Sequence, residues 1–143
     1  MADSWQDLAV ETTIDVPFHD VDMAAIAWHG HYVKYFEVAR CILLESFDYN
    51  YPQMRESGYF WPIVDMRIKF VNPSHFGQKI KVRATLEEWE HRLKIRYMIT
   101  DLESGKRLTK GYTTQVAVRL ADGEMQFASP SVLAEKLGIK VGG

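Results

Sequence analysis

The chain has 143 residues, of which 47% are hydrophobic and 25% are charged, and its formal net charge at pH 7 is -2. This length and apolar content fit one globular domain, residues 1–143, with a single core. A chain of nearly balanced charge has no global field to attract nucleic acid or an anionic membrane, so we expect neither as a partner. An anionic ligand must therefore be bound by a local group of basic residues.

The single cysteine, Cys41, can form no disulfide within the chain and belongs to no CxxC motif. The N-terminal residues lack the positive charge and the apolar run of a signal peptide, and no segment reaches membrane-spanning length. These features predict an unprocessed, soluble protein of the cytoplasm.

Apolar and polar residues alternate from Val10 to Val16, which predicts a half-buried first strand. Pro17 ends that pattern, and residues 19–27 indicate a loop, because they combine aspartates and small residues without a sustained period. From Gly30 onward, apolar residues recur at three- and four-residue steps as far as Phe47. This spacing predicts a long aromatic helix that ends near Asp48, Asn50 and Pro52.

Four further segments alternate again and are predicted strands: Phe60–Phe70, Lys79–Glu90, Leu93–Asp101 and Leu108–Leu120. Turn residues between them, at Asn72–Pro73 and Ser104–Gly105, predict antiparallel hairpins between consecutive strands. Ser129 and Pro130 are typical of a helix N-cap and first helical position, and Gly138 of a helix end. This order of elements predicts an α+β domain in which a curved sheet packs around the long helix.

Ionisable side chains are concentrated just before the long helix. Asp22 could attack an acyl carbon or deprotonate a water molecule, and His29 could hold that water or move its proton. A helix that begins near Gly30 would polarise a carbonyl and stabilise the resulting oxyanion through its first backbone N–H groups. The spacing is equally consistent with Asp20 and Asp22 capping turns, so both interpretations stay open at this point.

Other candidate sites are weaker. His29 and His31 form an HxH pair without a third ligand at a defined spacing, so we expect no metal. Glu37 and Arg40 lie three residues apart and predict an ion pair on the helix surface. GxSxG, Walker and GxGxxG motifs do not occur, which leaves serine hydrolase and nucleotide-phosphate chemistry without support.

Three segments together resemble the sequence pattern of the 4-hydroxybenzoyl-CoA thioesterase-like hotdog proteins. They are Asp20–Asp22, Ile26–His29 and a third made of Tyr32, Tyr35–Glu37 and Ala39–Arg40. The resemblance implies a hotdog fold, in which an antiparallel sheet wraps around a central helix. It also implies dimers whose sheets join edge to edge, active sites at the dimer interface and an acyl-CoA substrate.

The resemblance also implies roles for individual residues. Asp22 matches the catalytic carboxylate, His29 matches an assisting histidine, and backbone N–H groups near Gly30 would polarise the thioester. Residues expected to contact the substrate are Trp28, His31, Tyr32, Arg92 and Lys94, the last two through the CoA phosphates. The chain departs from the pattern at Ala25, where glycine is usual, and at His31, where asparagine is common.

The resulting prediction is a homodimer or homotetramer that hydrolyses an acyl-CoA thioester to free acid and CoA without a cofactor. Three alternatives stay open: a non-catalytic module that binds acyl-CoA, a thioesterase acting on acyl carrier protein, and a dehydratase of β-hydroxyacyl chains. The aromatic residues do not identify the acyl group, because most of them belong to the helix stripe and the strand cores.

Overall fold

The protein is described by a computed structural model that covers residues 5–16, 30–75 and 77–139. A 3₁₀ helix, Trp5–Asp7, precedes strand β1, Ala9–Asp15. The helices are α1 (Gly30–Ser46), α2 (Tyr51–Glu56) and α3 (Ser131–Lys136). The remaining strands are β2 (Tyr59–Phe60), β3 (Ile63–Phe70), β4 (Lys79–Glu88), β5 (Leu93–Asp101), β6 (Arg107–Gln115) and β7 (Val118–Arg119).

The main sheet has five strands in the order β1-β4-β5-β6-β3, and every neighbouring pair is antiparallel. The inner strands β4 and β5 alternate between buried apolar residues and exposed or half-exposed polar ones. Because side chains alternate across a strand, one face of the sheet is apolar and the other is charged. Strands β2 and β7 form a separate two-stranded ribbon.

Helix α1 packs on the apolar face of the sheet. Phe36 stacks on Tyr97 of β5, with ring centroids 4.4 Å apart and an interplanar angle of 7°. Gly111 of β6 lies at the same place, and a Cβ atom added to it would overlap the carbonyl oxygen of Arg67 and lie 3.0 Å from Phe36 Cε2. The close packing of α1 on the sheet therefore depends on glycine at position 111.

The predicted long helix and the inner strands are confirmed, but two predicted strands are broken. The segment from Phe60 to Phe70 divides into β2 and β3 around Trp61, and the segment from Leu108 divides after Gln115. Trp61 is buried, its indole N–H donates to the Tyr49 hydroxyl at 3.2 Å, and its carbonyl accepts from Gln115 Nε2 at 2.8 Å. These two bonds stabilise the kink at Trp61, where regular strand pairing is interrupted.

Helix α2 is absent from the sequence prediction, because Asn50 and Pro52 are typical of a helix end. Asn50 is instead an N-cap: its side chain accepts from the backbone N of Tyr51 at 2.9 Å. Gln53 completes the capping box by accepting from the backbone N of Asn50 at 3.1 Å. Pro52 stands in the first helical turn, where its missing N–H has no cost.

Two further predictions are wrong in detail. Strand β3 pairs with β6 and not with β4, so the connection containing Asn72 and Pro73 is a crossover and not a hairpin. Pro130 and not Ser129 is the N-cap of α3, and it makes no side-chain capping bond. The predicted end of that helix is correct, since Gly138 follows its last turn with φ +75°. Among the described residues, no helix is long and apolar enough to cross a bilayer.

Candidate active site at the start of helix α1

The start of α1 is fixed by Tyr32. The Tyr32 hydroxyl donates to Ser74 Oγ at 3.0 Å and accepts from Ser74 N at 3.2 Å, and both residues are buried. The Tyr32 ring makes edge contacts with Tyr35 and Phe70, with centroids 5.8 Å and 5.2 Å apart. The helix start is thus tied to the end of β3 and to the connection that follows it.

This end of α1 can stabilise negative charge. The first N–H groups of a helix have no partner within the helix and carry a partial positive charge. No acidic residue stands in the first turn of the 17-residue α1 to oppose that charge. A carbonyl oxygen placed beyond Gly30 would therefore be polarised, and an oxyanion formed there would be stabilised.

The predicted catalytic and substrate-contacting residues are only partly covered by the structure. Asp22, Trp28 and His29 lie outside the described residues. Gly30, His31 and Tyr32 lie together in the first turn of α1, and His31 is half-buried. Tyr32 is 1% exposed, so its side chain faces the core and holds the helix start in position.

The two basic residues predicted to bind phosphate lie near the turn between β4 and β5. Arg92 Nε is 3.0 Å from Glu88 Oε2, in an exposed ion pair. Lys94 Nζ is 3.6 Å from Glu87 Oε2 and 4.4 Å from the centroid of the Tyr112 ring. Both cations therefore have a partner in the structure.

Within one protomer, these cations are far from the start of α1. Lys94 pairs with Thr114 of β6, whereas Phe70, which contacts Tyr32, pairs with Thr109. Five residues along β6 correspond to about 17 Å. Lys94 also lies on the face opposite α1, since its neighbours Leu93 and Ile95 are fully buried on the other side. Of the predicted residues that the structure describes, Lys94 is thus kept away from Gly30, His31 and Tyr32 within one protomer.

Strand β3 forms one edge of the sheet, and its ends are apolar and exposed. Val64 is 52% exposed and Phe70 is 43% exposed, and Ile63 and Val71 also reach solvent. The middle of β3 carries Asp65, Arg67 and Lys69, so the exposed apolar residues are confined to its ends. Exposed apolar residues on an edge strand favour pairing with another chain.

Arg40 is buried, although its spacing from Glu37 predicts an ion pair on the helix surface. It is 3% exposed, and its Nη1 and Nη2 donate to the hydroxyls of Tyr97 at 3.4 Å and Tyr51 at 3.3 Å. Glu37, its predicted ion-pair partner, is half-exposed and 4.0 Å away. The sequence spacing does indicate burial of Arg40, because Arg40 lies four residues after Phe36 on the buried stripe of α1.

A sequence profile of the thioesterase-like superfamily matches residues 16–137. The chain belongs to the thioesterase-like superfamily. It is accordingly a thioester hydrolase, as the sequence resemblance predicted. The hotdog fold implied by that resemblance is confirmed as well.

Proteins of similar sequence or structure align with 53% to 91% of the chain. A Synechocystis sp. protein with a proposed esterase activity is 27% identical over 128 residues, which are 89% of this chain and 77% of that protein. YneP of Bacillus subtilis, with a proposed acyl-CoA thioesterase activity, is 29% identical over 76 residues, or 53% of this chain and 55% of YneP. A 1,4-dihydroxy-2-naphthoyl-CoA thioesterase from Synechocystis has the same fold, with a TM-score of 0.80 at 21% identity over 91% of this chain and 96% of that one.

Proposed function

We propose that the chain hydrolyses an acyl-CoA thioester to the free acid and CoA at the start of α1. The observation that carries the proposal is the first turn of α1, which is tied to Ser74 by two bonds from Tyr32 and contains no acidic residue of its own to oppose its partial positive charge. The proposed acyl-CoA thioesterase activity of the similar protein YneP supports CoA as the thiol.

The chemistry is assigned to the residues that directly precede α1. As nucleophile, Asp22 attacks the acyl carbon, the C–S bond breaks, CoA leaves as a thiolate that takes a proton from water, and water then hydrolyses the mixed anhydride. As general base, Asp22 instead removes a proton from the water that attacks the acyl carbon. In both routes the backbone N–H groups near Gly30 stabilise the oxyanion, and His29 positions the water or the thioester.

Substrate contacts are assigned to the same region. Trp28 and His31 contact the acyl group, and Tyr32 contributes by fixing the helix start on which they depend. Burial of Tyr32 and its two bonds to Ser74 support this positioning role.

A homodimer joined through β3 would complete the site. Strands that pair across a two-fold axis are antiparallel, so the Ile63 end of one β3 would lie beside the Phe70 end of the other. Ile63 pairs with Gln115, which pairs with Leu93, so Arg92 and Lys94 lie at the Ile63 end. The dimer would therefore bring the sheet end of one protomer that carries Arg92 and Lys94 beside the end at which its partner's α1 begins, and the two cations would bind the CoA phosphates from the outer face of the joined sheet.

Release of free thiol from a panel of acyl-CoAs tests the proposal. Asp22→Asn keeps the size of the side chain but removes its charge and basicity, so kcat should fall about a hundredfold or more while folding persists. His29→Ala should cost less if His29 only orients the reactants. Asp122→Asn, in an exposed turn, is the matched control.

An Asp22→Asn protein that keeps the wild-type rate would exclude Asp22 as the catalytic carboxylate. The same acyl groups presented on acyl carrier protein identify the thiol. Faster hydrolysis of the carrier thioesters than of the CoA thioesters would replace CoA by carrier protein as the substrate.

A further inference from the structure

A basic groove lies on the outer face of the sheet, opposite α1. Its volume is about 380 Å³. The charged residues that line it are Arg67, Lys69, Lys94, Arg96, Lys110 and Glu87. Cations thus dominate this surface, although the net charge of the whole chain is -2.

Two lysines in the groove face each other directly. Lys69 of β3 and Lys110 of β6 are partners in the strand register, and both are exposed. Side chains at such positions have Cβ atoms about 4.5–5.5 Å apart, and like charges there repel and destabilise the sheet. Elsewhere on this face the register places opposite charges together, since Glu11 faces Arg83 and lies 3.3 Å from it.

The cations that line the groove differ in whether a carboxylate of the described residues lies near them. Lys94 and Arg96 share Glu87, at 3.6 Å and 3.4 Å. In contrast, within the described part of the chain no carboxylate oxygen lies within 4 Å of the side-chain nitrogens of Arg67, Lys69 or Lys110. Asp65, two residues from Arg67, instead accepts a hydrogen bond from the Tyr112 hydroxyl at 3.1 Å.

We propose that this groove is a phosphate-binding site. Lys69 and Lys110 hold one phosphate group between them, and Arg67, the diagonal neighbour of Lys110, binds its oxygens through the planar guanidinium. A phosphate monoester carries about -1.5 to -2 charge at pH 7 and offers three acceptor oxygens, which matches three cations better than a single carboxylate does. The half-buried ring of Tyr112 forms one wall of the groove, and Lys94 Nζ lies 4.4 Å from its centroid.

A second copy of the chain is the wrong occupant for this surface. Two identical basic faces packed on each other would oppose cation to cation, and such like-charge contacts disfavour association. A phosphate-bearing ligand removes the repulsion between Lys69 and Lys110, whereas a second copy would add to it.

The phosphate group can come from CoA or from a free phosphate compound. The first source rests on the proposed function, but the anion site itself does not. Lys69 and Phe70 are adjacent on β3 and point to opposite faces, and Phe70 contacts Tyr32 at the start of α1. The groove and the proposed catalytic region therefore lie on opposite faces of β3, separated by the thickness of that strand.

Calorimetric titration of the full-length protein in phosphate-free buffer tests the site. The probes are inorganic phosphate, pyrophosphate and adenosine 3′,5′-bisphosphate. The wild type should bind at least one of them saturably, and Lys110→Gln should weaken that binding at least about tenfold, the loss expected for one charge-assisted contact. Arg83→Gln removes the same charge from the same face outside the groove and should keep the wild-type affinity.

Thermal unfolding shows whether the variant is intact. In phosphate-free buffer the melting temperature of Lys110→Gln should equal or exceed that of the wild type, because the repulsion with Lys69 is gone. Adding the bound probe should raise the melting temperature of the wild type and of Arg83→Gln much more than that of Lys110→Gln.

Kinetics distinguish the two sources of phosphate. With CoA as the source, adenosine 3′,5′-bisphosphate competes with acyl-CoA, and Lys110→Gln raises KM while kcat is kept. With a free phosphate compound as the source, the probe binds but KM for acyl-CoA is unchanged in the variant. Probe binding by a protein that hydrolyses no acyl-CoA would refute the proposed function and leave the anion site standing.

Absence of saturable binding to all three probes, or equal affinities of Lys110→Gln and Arg83→Gln, would overturn the site.

Discussion

Tyr32 and Ser74 bond each other twice, once from the Tyr32 hydroxyl to Ser74 Oγ at 3.0 Å and once from Ser74 N to the Tyr32 hydroxyl at 3.2 Å. The two residues are 42 positions apart in the sequence. Their bonds join the first turn of α1 to the crossover between β3 and β4. The position of the proposed oxyanion site therefore depends on a contact far from it in the chain.

Replacing Tyr32 by Phe should lower both stability and kcat. The change leaves Ser74 N buried without its acceptor, which should cost about 1–3 kcal/mol in the free energy of unfolding. The helix start would also lose its fixed position, so kcat should fall while KM changes less. Urea unfolding and steady-state kinetics measure the two effects. Tyr112→Phe, which removes an exposed hydroxyl, is the control and should cost less than about 0.5 kcal/mol. Equal stability of the two variants would contradict the anchoring role of Tyr32.

Replacing Gly111 by Ala should destabilise the fold strongly. The added methyl group would meet the backbone of Arg67 and the ring of Phe36, so either β3 or α1 must shift. Overpacking of this kind costs about 1–3 kcal/mol, and contact with backbone places it at the upper end of that range. Chemical unfolding measures the difference.

Gly123→Ala separates steric overlap from backbone strain. Gly123 has φ +71° and nothing within 4 Å of an added Cβ, so alanine there suffers only the strain of the left-handed region, about 1 kcal/mol. A Gly111→Ala protein no less stable than Gly123→Ala would show that α1 does not pack as closely on β6 as described.

Asp101 should make stability depend on acid pH. Hydrogen bonds from the side chain of Gln78, at 2.9 Å, and from the backbone and side chain of Ser104, both at 2.8 Å, lower the pKa of Asp101 to about 2. The folded protein thus binds this proton more weakly than the unfolded chain does. The stabilisation is present above the ordinary pKa near 3.8 and is lost as pH falls toward 2.

Asp101→Asn should flatten that part of the stability profile. Chemical unfolding at a series of pH values between the two pKa values of Asp101 gives the slope for each protein. Gln78→Ala, which removes one of the donors but keeps the carboxyl group, should reduce the slope only in part. An Asp101→Asn protein with the wild-type slope would assign the acid sensitivity to other carboxylates.

Local pattern was sufficient to predict α1 and the inner strands. The three- and four-residue steps from Tyr32 to Phe47 report burial on one helix face, and alternation in β4 and β5 reports burial on one sheet face. Alternation assigns residues to a face, but it does not say which strands are neighbours. The pairing of β3 with β6 was therefore missed, and with it the opposition of Lys69 and Lys110.

Features of the candidate site that depend on residues close together in the sequence were predictable, whereas features that depend on contacts between distant elements were not. The change of period at Gly30 identified the helix start. Ser74 gave no signal, because its role comes from a buried bond to a residue on another element. Arg40 was misplaced for a related reason: a charged residue normally lies at the surface, and only its bonds to Tyr51 and Tyr97 make its burial tolerable.

The exposed apolar residues at the ends of the edge strand β3 predict that the protein is a dimer and that the dimer is the active form. Sedimentation at micromolar concentration should show a dimer for the wild type. Val64→Lys places a charge on an edge residue that is 52% exposed, so it should shift the protein toward the monomer. Activity should fall in parallel, because Arg92 and Lys94 of one protomer would no longer lie beside the end at which its partner's α1 begins, and it should recover at higher protein concentration.

The matched control for this edge is Leu102→Lys. Leu102 is 41% exposed and lies in the turn between β5 and β6, away from β3, so the added charge should leave both the dimer and the activity intact. A wild-type monomer with full activity would refute the role of the β3 edge. So would a Val64→Lys protein that stays monomeric and hydrolyses acyl-CoA at the wild-type rate, since one protomer would then hold a complete site.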